Sequence, residues 1–247
     1  MTFKVVIPAR YASARLPGKP LLDIAGKPMV VRVAEQAAKS GANEIIIATD
    51  FEKIKQVAAE YYMTAVMTRI DHQSGTDRIA EVAQKFGWAD DEIVVNVQGD
   101  EPLIDPQLIN EVALTLAHSR DAVMATACHA IHDEASFLNP NIVKLVLDAN
   151  GNALYFSRAP IPYPRDDARK ANIQAQRHIG IYAYRVGFLK QYAQLEATEL
   201  EKTESLEQLR VLYHGYKIGV TITQNAPASG VDTQEDLDYV RNVWKDN

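Results

Sequence analysis

The chain has 247 residues, of which 47% are hydrophobic and 23% charged. That is enough apolar material for one large core, and nothing in the composition reads as disordered, collagen-like or repetitive. The formal net charge of −6 argues against a nucleic-acid partner, which demands phosphate neutralisation. The longest apolar runs are far too short to span a bilayer, and Arg10 and Arg15 interrupt any secretory h-region. A cytoplasmic protein without membrane contact is therefore expected. Cys128 is the single cysteine, which excludes disulfides and a cysteine-based metal site.

An apolar run at 3–8, ended by Pro8, predicts a buried strand. Met29, Val30, Val33, Ala34 and Ala37 recur at helical spacing and predict a helix over 28–39, with Gly41 as its stop. Residues 45–48 form a second strand, 52–61 a weaker helix, 64–68 a third strand and 76–86 another helix. Residues 92–97 are the clearest strand. Asp105 and Pro106 open a helix as N-cap and first-turn proline, with Leu108, Ile109, Val112 and Leu116 as its buried stripe. This alternation predicts an α/β fold with a mainly parallel sheet and helices on both faces. Ligands in such sheets sit at the carboxyl ends of the strands. From about residue 121 the pattern changes: 122–127, 142–147, 154–156 and 179–184 read as strands without regular helices between them, a smaller mixed β-rich portion. Helix returns at 203–213 and strand at 216–222. A last helix begins near 233, with Leu237, Val240 and Val243 inward. No linker divides the chain, so a single domain is expected over 1–247.

Residues 1–22 hold Lys4, Arg10, Arg15 and Lys19 and no acid, a cationic loop suited to a small anion. Placed straight after the first strand, Arg10, Arg15, Gly18 and Lys19 match the needs of nucleotidyl transfer, where charge develops on leaving pyrophosphate. Neither a Walker A loop nor a G-x-G-x-x-G fingerprint is present, which weakens ATPase and dinucleotide-oxidoreductase readings. Asp100 and Glu101 follow the strongest strand beside Gly99, a position from which a carboxylate can hold Mg²⁺ together with phosphate oxygens. The alternative is that they only end a strand. Asp232 could supply a second carboxylate. Spacing alone favours a helix-capping role, because Thr233 and Asp236 make a capping-box-like pair. Small polar residues over 72–78 open a helix; they could present backbone N–H and hydroxyl groups to a nucleobase, or equally be an ordinary helix start. Arg158, Arg177 and His178 could grip an acidic sugar, whereas Glu207 and Arg210 have the spacing of an ordinary helical pair. His129 and His132 sit in or near a strand at a step that points to opposite faces, so they share no metal.

These segments, in this order, resemble the 3-deoxy-manno-octulosonate cytidylyltransferase family. The resemblance rests on IPARYASARLPGKP at 7–20, HQSGTDR at 72–78, VNVQGDEP at 95–102, YFSRAPIP at 155–162, RHIGIY at 177–182, LEQLRVL at 206–212 and GVDT at 230–233. It implies a Rossmann-like nucleotidyltransferase fold and transfer of CMP from CTP to the anomeric 2-hydroxyl of the acidic sugar Kdo. The products would be CMP-Kdo and pyrophosphate, for lipopolysaccharide biosynthesis. The resemblance further implies that Arg10, Arg15 and Lys19 meet the triphosphate and that Ser74, Gly75 and Arg78 surround the cytidine. Asp100 and Asp232 would bind Mg²⁺, and Gln98, Arg158, His178, Tyr182, Glu207 and Gln208 would surround the sugar. Arg15, Lys19 and Asp100 would be the catalytic groups. In this scheme 1–120 serves the nucleotide, about 121–215 the sugar and a homodimer contact, and 216–247 returns to the core. Residues 166–176 and 198–201 depart from the family pattern near the sugar part. The rival readings are a cytidylyltransferase for amino-Kdo or a sialic acid, and a non-catalytic nucleotide-binding module.

Overall fold

The computed structural model describes residues 2–12, 16–72, 74–166, 174–224, 226–228 and 230–245. Among them the strands are β1 Lys4–Ala9, β2 Asp23–Ile24, β3 Lys27–Pro28, β4 Glu44–Thr49, β5 Ala65–Met67, β6 Ile93–Asn96, β7 Ala122–Ile131, β8 Lys144–Leu147, β9 Ala153–Ser157, β10 Ala175–Arg185 and β11 Lys217–Ile222. The main sheet runs β11-β7-β10-β6-β1-β4-β5. β1 lies parallel to β4 and β6, β4 to β5, and β7 to β11. β10 alone runs against its neighbours β6 and β7. β8 branches from β10 through Arg177 and Gln176 and pairs in turn with β9. β2 and β3 form a separate small hairpin.

Side chains alternate across a strand, and the two faces of this sheet accordingly bury two cores. Val5, Ile7, Val95 and Val97 face one side, where α1 (Met29–Ala37), α2 (Glu52–Glu60) and α4 (Pro106–His118) pack over them. Val6 and Val94 face the other, covered by α3 (Gly75–Lys85), α6 (Val186–Tyr192) and α8 (Gln208–Tyr213). Each such side chain taken out of water contributes about 1.5–3 kcal/mol. Local signals agree with this packing. Asp105 caps α4 by accepting from the Gln107 amide at 2.9 Å, with Pro106 at the first turn. The last helix, α9 (Gln234–Lys245), docks Leu237 and Val240 on Ile24, Met29 and Val231. That contact ties the 230–233 turn to the first loop.

Three expectations need correction. The β-rich portion is not free of helices, because α5 (Glu134–Leu138), α6 and α7 (Glu199–Glu204) punctuate it. Its strands β7 and β10 are inner members of the main sheet. The helix expected over 203–213 is two helices, α7 and α8. Ser205 stands between them at φ 52, ψ 51, a left-handed conformation that stops helix propagation. The apolar positions Leu206, Leu209, Val211 and Leu212 all follow the break, so their spacing carries no mark of it. Val243, expected inward, is only half-buried.

Arg78 is fully buried, and its guanidinium donates to Thr68 and, at 2.8 Å, to Asp50. Breaking a buried pair from one side strands the other charge. Asp50→Ala is therefore expected to cost about 3–5 kcal/mol, read from the urea midpoint. The double variant Asp50→Ala/Arg78→Met should recover part of that loss, because no unpaired charge remains inside. A double variant less stable than Asp50→Ala alone would contradict this account.

Candidate active site

β1 ends at Ala9, and the chain leaves the sheet with Arg10. Gly18 then adopts φ +67, and a Cβ there would press on the Tyr11 ring at 3.3 Å. Its left-handed turn starts the short 3-10 segment Lys19–Leu21, in which Pro20 is buried. Lys19 is thereby turned into the protein. Its Nζ donates to Asp100 Oδ2 at 2.7 Å, to the Val231 carbonyl at 2.7 Å and to Asp232 Oδ1 at 3.1 Å. Burial pulls the lysine pKa down, but the two carboxylates outweigh it and hold it above the ordinary value.

Asp100 reaches this point because Gly99 permits it. A Cβ on Gly99 would lie 2.6 Å from the Pro8 carbonyl oxygen, so the turn after β6 passes the end of β1 only as glycine. The neighbouring Glu101 is pushed up to about 8, by burial first and by the Asp100 charge second. Asp232 arrives from the far end of the chain, held by a 2.8 Å hydrogen bond from the Val231 amide to the Asp100 carbonyl. The capping role that spacing favoured for Asp232 falls instead to its neighbours. The Asp236 carboxylate accepts from the Asp232 amide at 3.0 Å, the Thr233 amide at 2.8 Å and the Thr233 hydroxyl at 2.9 Å. The Asp232 carboxylate is left to face Lys19.

Three hollows meet around this clasp. One of about 300 Å³ is lined by Arg10, Lys19, Gly75, Gln98, Gly99 and Asp100. A second, of about 340 Å³, is lined by Gly75, Gln98, His178, Tyr182, Glu207 and Gln208, with Tyr184 and Tyr192 beside them. Gly75 and Gln98 belong to both. A third, of about 390 Å³, contains Asp100, Asp232, Arg177 and His178. The break at Ser205 turns Leu206, Glu207 and Gln208 into the wall of the second hollow.

Ten of the residues expected at the site thus gather here: Arg10, Lys19, Gly75, Gln98, Asp100, His178, Tyr182, Glu207, Gln208 and Asp232. Three others are engaged elsewhere. The Ser74 hydroxyl caps α3, accepting from the Asp77 amide at 3.1 Å and donating to its carboxylate at 2.9 Å. Arg78 lies fully buried on Asp50. Arg158 uses its guanidinium on the carbonyls of Glu204 at 2.6 Å, Pro140 at 3.1 Å and Ser205 at 3.5 Å. Arg15 lies outside the described residues, as does most of 166–176. Thr198 and Glu201, in the second departing stretch, form the capping box of α7.

Burial acts on the titratable groups that line the second hollow. Burial pushes His178 down to about 3, so it offers a hydrogen bond and no positive charge. Its ring is set between the edge of Phe156 at 5.0 Å and Tyr182 at 5.4 Å. Burial raises the Tyr182, Tyr184 and Tyr192 phenols, and it raises the Glu207 carboxyl despite nearby Arg210. Sequence reasoning missed Tyr184, Tyr192 and the braces behind them. Fully buried Lys144 donates to the carbonyls of Asn139 at 2.9 Å, Ile142 at 2.6 Å and Arg158 at 2.5 Å. Glu204 accepts from the Ser157 hydroxyl at 2.6 Å and the Arg158 amide at 2.9 Å. Backbone acceptors far apart in the chain leave no spacing signal to find.

The sequence profile of the Cytidylyltransferase family matches residues 4–218. A CMP:2-keto-3-deoxy-manno-octonic acid synthetase, solved in complex with CTP, is 43% identical. The match covers 99% of this chain and 98% of that one, with a TM-score of 0.92. A cytidylyltransferase from Leptospira borgpetersenii serovar Hardjo-bovis (strain JB197) is 15% identical over 100% of this chain and 87% of its own, with a TM-score of 0.64, a likeness of fold alone.

Gly99 supplies a direct check on how the site is assembled. Gly99→Ala must push the 98–100 turn away from Pro8, at a cost of about 1–3 kcal/mol. The shift moves Asp100 off Lys19, so turnover should fall more than the loss in melting temperature explains. A Gly99→Ala protein with unchanged stability would show that the close approach is not a constraint.

Proposed function

The chain belongs to the cytidylyltransferase family, and we propose that it transfers CMP from CTP to the anomeric 2-hydroxyl of 3-deoxy-manno-octulosonate, releasing pyrophosphate. The observation that carries this reading is the shared wall formed by Gly75 and Gln98. It joins a hollow holding Arg10, Lys19 and Asp100 to a hollow of hydrogen-bonding side chains. The first suits a triphosphate and the second a polyhydroxylated sugar, with the reacting atoms meeting between them. The 43% identity to a CMP:2-keto-3-deoxy-manno-octonic acid synthetase over nearly the whole chain supports the choice of sugar.

In this reading the sugar hydroxyl oxygen attacks the α-phosphorus. An O–P bond forms there as the bond to the β-phosphate oxygen breaks; the hydroxyl proton passes to solvent and the charge leaves on pyrophosphate. Lys19 and Arg10 offset that charge, together with Arg15 from the same loop. Gln98 and Gly75 hold the two substrates end to end, which turns an encounter into an oriented pair. Asp100 and Asp232 are the proposed Mg²⁺ ligands. Two carboxylates sharing one cation, here the Lys19 ammonium, are a donor set that a hard divalent ion accepts along with phosphate oxygens. Among the described residues no three His, Cys, Asp or Glu side chains form a ready-made metal cluster, which fits an ion brought in with the nucleotide. Mg²⁺ bound there would neutralise triphosphate charge and make the sugar hydroxyl more acidic. Arg78 and Arg158 support the site from behind, through Asp50 and the 204–205 carbonyls. No helix among the described residues is long and apolar enough to cross a membrane. Cytoplasmic residence and a homodimer are part of the proposal.

A pyrophosphate-release assay across the four nucleoside triphosphates and Kdo, amino-Kdo and sialic acid, with and without Mg²⁺, tests this reading. Release is expected with CTP, Kdo and Mg²⁺ together. CTP binding without release for any sugar would point to a non-catalytic module. Asp100→Asn should lower turnover by at least about a hundred-fold with melting temperature little changed. Lys19→Met should tighten nucleotide-free Mn²⁺ binding, followed by electron paramagnetic resonance, by roughly ten-fold, because it removes a competing cation. Unaltered or weaker Mn²⁺ binding in Lys19→Met would place the metal elsewhere.

A further inference from the structure

β10 carries an irregularity at the sugar hollow. Ile179 pairs with Ala127 and Tyr182 with Thr126, so Gly180 and Ile181 are extra residues against β7. Such a bulge takes carbonyls out of the ladder, and buried carbonyls need donors. Thr126 supplies one. Its side chain is fully buried, and its Oγ1 lies 2.8 Å from the Ile181 carbonyl and 3.1 Å from the Ile179 carbonyl. The same oxygen lies 3.0 Å from His178 Nε2.

Proton counting fixes the direction of these bonds. A threonine hydroxyl has one proton and two lone pairs. Both carbonyls only accept, so the proton points to them. The bond to His178 must then run from Nε2–H into the threonine oxygen. His178 is neutral, because burial holds its pKa near 3. A neutral imidazole with its proton on Nε2 has a bare lone pair on Nδ1. Phe156 and Tyr182 fix the plane of the ring, and the ring lines the hollow.

We infer that Thr126 is a positioning residue that locks His178 as the Nε2–H tautomer, so that Nδ1 accepts a hydrogen bond from a hydroxyl of the sugar. The inference rests on the sugar reading of the hollow, and it assigns the chemistry of one contact within it. His178 reads a donor. A carboxylate, which only accepts, does not fit opposite Nδ1. The charge of an acidic sugar must therefore be met elsewhere, and Arg177 in the adjoining hollow is a cation within the same enclosure.

The test combines spectroscopy with kinetics. Long-range ¹⁵N–¹H correlation on the wild-type protein, with His178 assigned by its loss in His178→Ala, should show the Nε2–H pattern. The signal should not titrate between about pH 5 and 8, the range where a free histidine changes charge. Thr126→Val keeps the side-chain shape but removes the acceptor, so the ring should lose its fixed tautomer. The KM for Kdo should rise about ten-fold, the usual order for one lost hydrogen bond in a dry site, with the KM for CTP within about two-fold. Thr126→Ser restores the hydroxyl and should recover both signals. An Nδ1–H pattern in the wild type, or a normal Kdo KM in a folded Thr126→Val protein, overturns the inference. Absence of any Kdo-dependent pyrophosphate release by the wild type refutes the sugar reading instead, and the ¹⁵N pattern still decides the tautomer.

Discussion

The site depends on one ammonium group held by three parts of the chain. Lys19 comes from the first loop, Asp100 from the turn after β6, and Val231 and Asp232 from the approach to the last helix. Two carboxylates facing each other without a cation would repel, and the Lys19 charge makes their approach favourable. Small residues let the backbones come close enough. Gly99 passes within 2.6 Å, measured to a built Cβ, of the Pro8 carbonyl, and a Cβ at Gly230 would lie 3.4 Å from the Asp100 carbonyl. Electrostatic attraction and backbone proximity are thus two sides of one constraint. A fold that brought these turns together without the lysine would hold paired charges at a cost. A lysine without the glycines would have nothing to bridge.

The sheet explains why those turns are neighbours at all. β1 and β6 lie side by side and parallel, so their carboxyl ends open on the same edge. The loops leaving them deliver Arg10 on one side and Gln98 to Asp100 on the other. The N-terminus of α3 delivers Gly75 to the same place, and its capping box fixes that end of the helix. The reversed strand β10 then carries His178 and Tyr182 across the same edge from the opposite direction. A purely parallel strand in that position would send its side chains to the site only from its last residue. Running β10 the other way lets several residues along its length form a wall.

Much of this architecture was legible in the sequence, and the reasons differ between elements. The strands 92–97 and 3–8 are continuous apolar runs because both of their faces are buried, and α4 announces itself by Asp105 and Pro106. The cationic loop was visible because it holds no acid. The break at Ser205 was not, since the apolar positions of α8 all follow it and a single left-handed residue has no pattern of its own. The contact of Asp232 with Lys19 was not legible for a related reason. Spacing shows which residues can cap a helix but not which oxygen is nearer a lysine 213 positions away in sequence. Thr126 gave no signal, because a lone threonine in an apolar strand reads as ordinary strand composition. Its importance comes from a bulge in another strand. Arg15, among the expected catalytic groups, lies outside the described residues.

The distribution of charge around the three hollows follows from burial more than from composition. At the first hollow Lys19 is paired with two carboxylates, and Arg78 is paired with Asp50. In the second hollow burial works against charge. His178 is driven neutral, the Glu207 carboxyl is raised, and the tyrosine phenols are held protonated. The hydrogen-bonding groups held there by packing are oriented before a ligand arrives. Such a surface discriminates by hydroxyl geometry, because a missing hydroxyl leaves a buried partner unsatisfied. A charged hollow would attract any anion, including the triphosphate that belongs next door. In the proposed reading, the electrical difference between the two regions on either side of Gly75 and Gln98 lets one edge of the sheet hold two polar substrates in a fixed order.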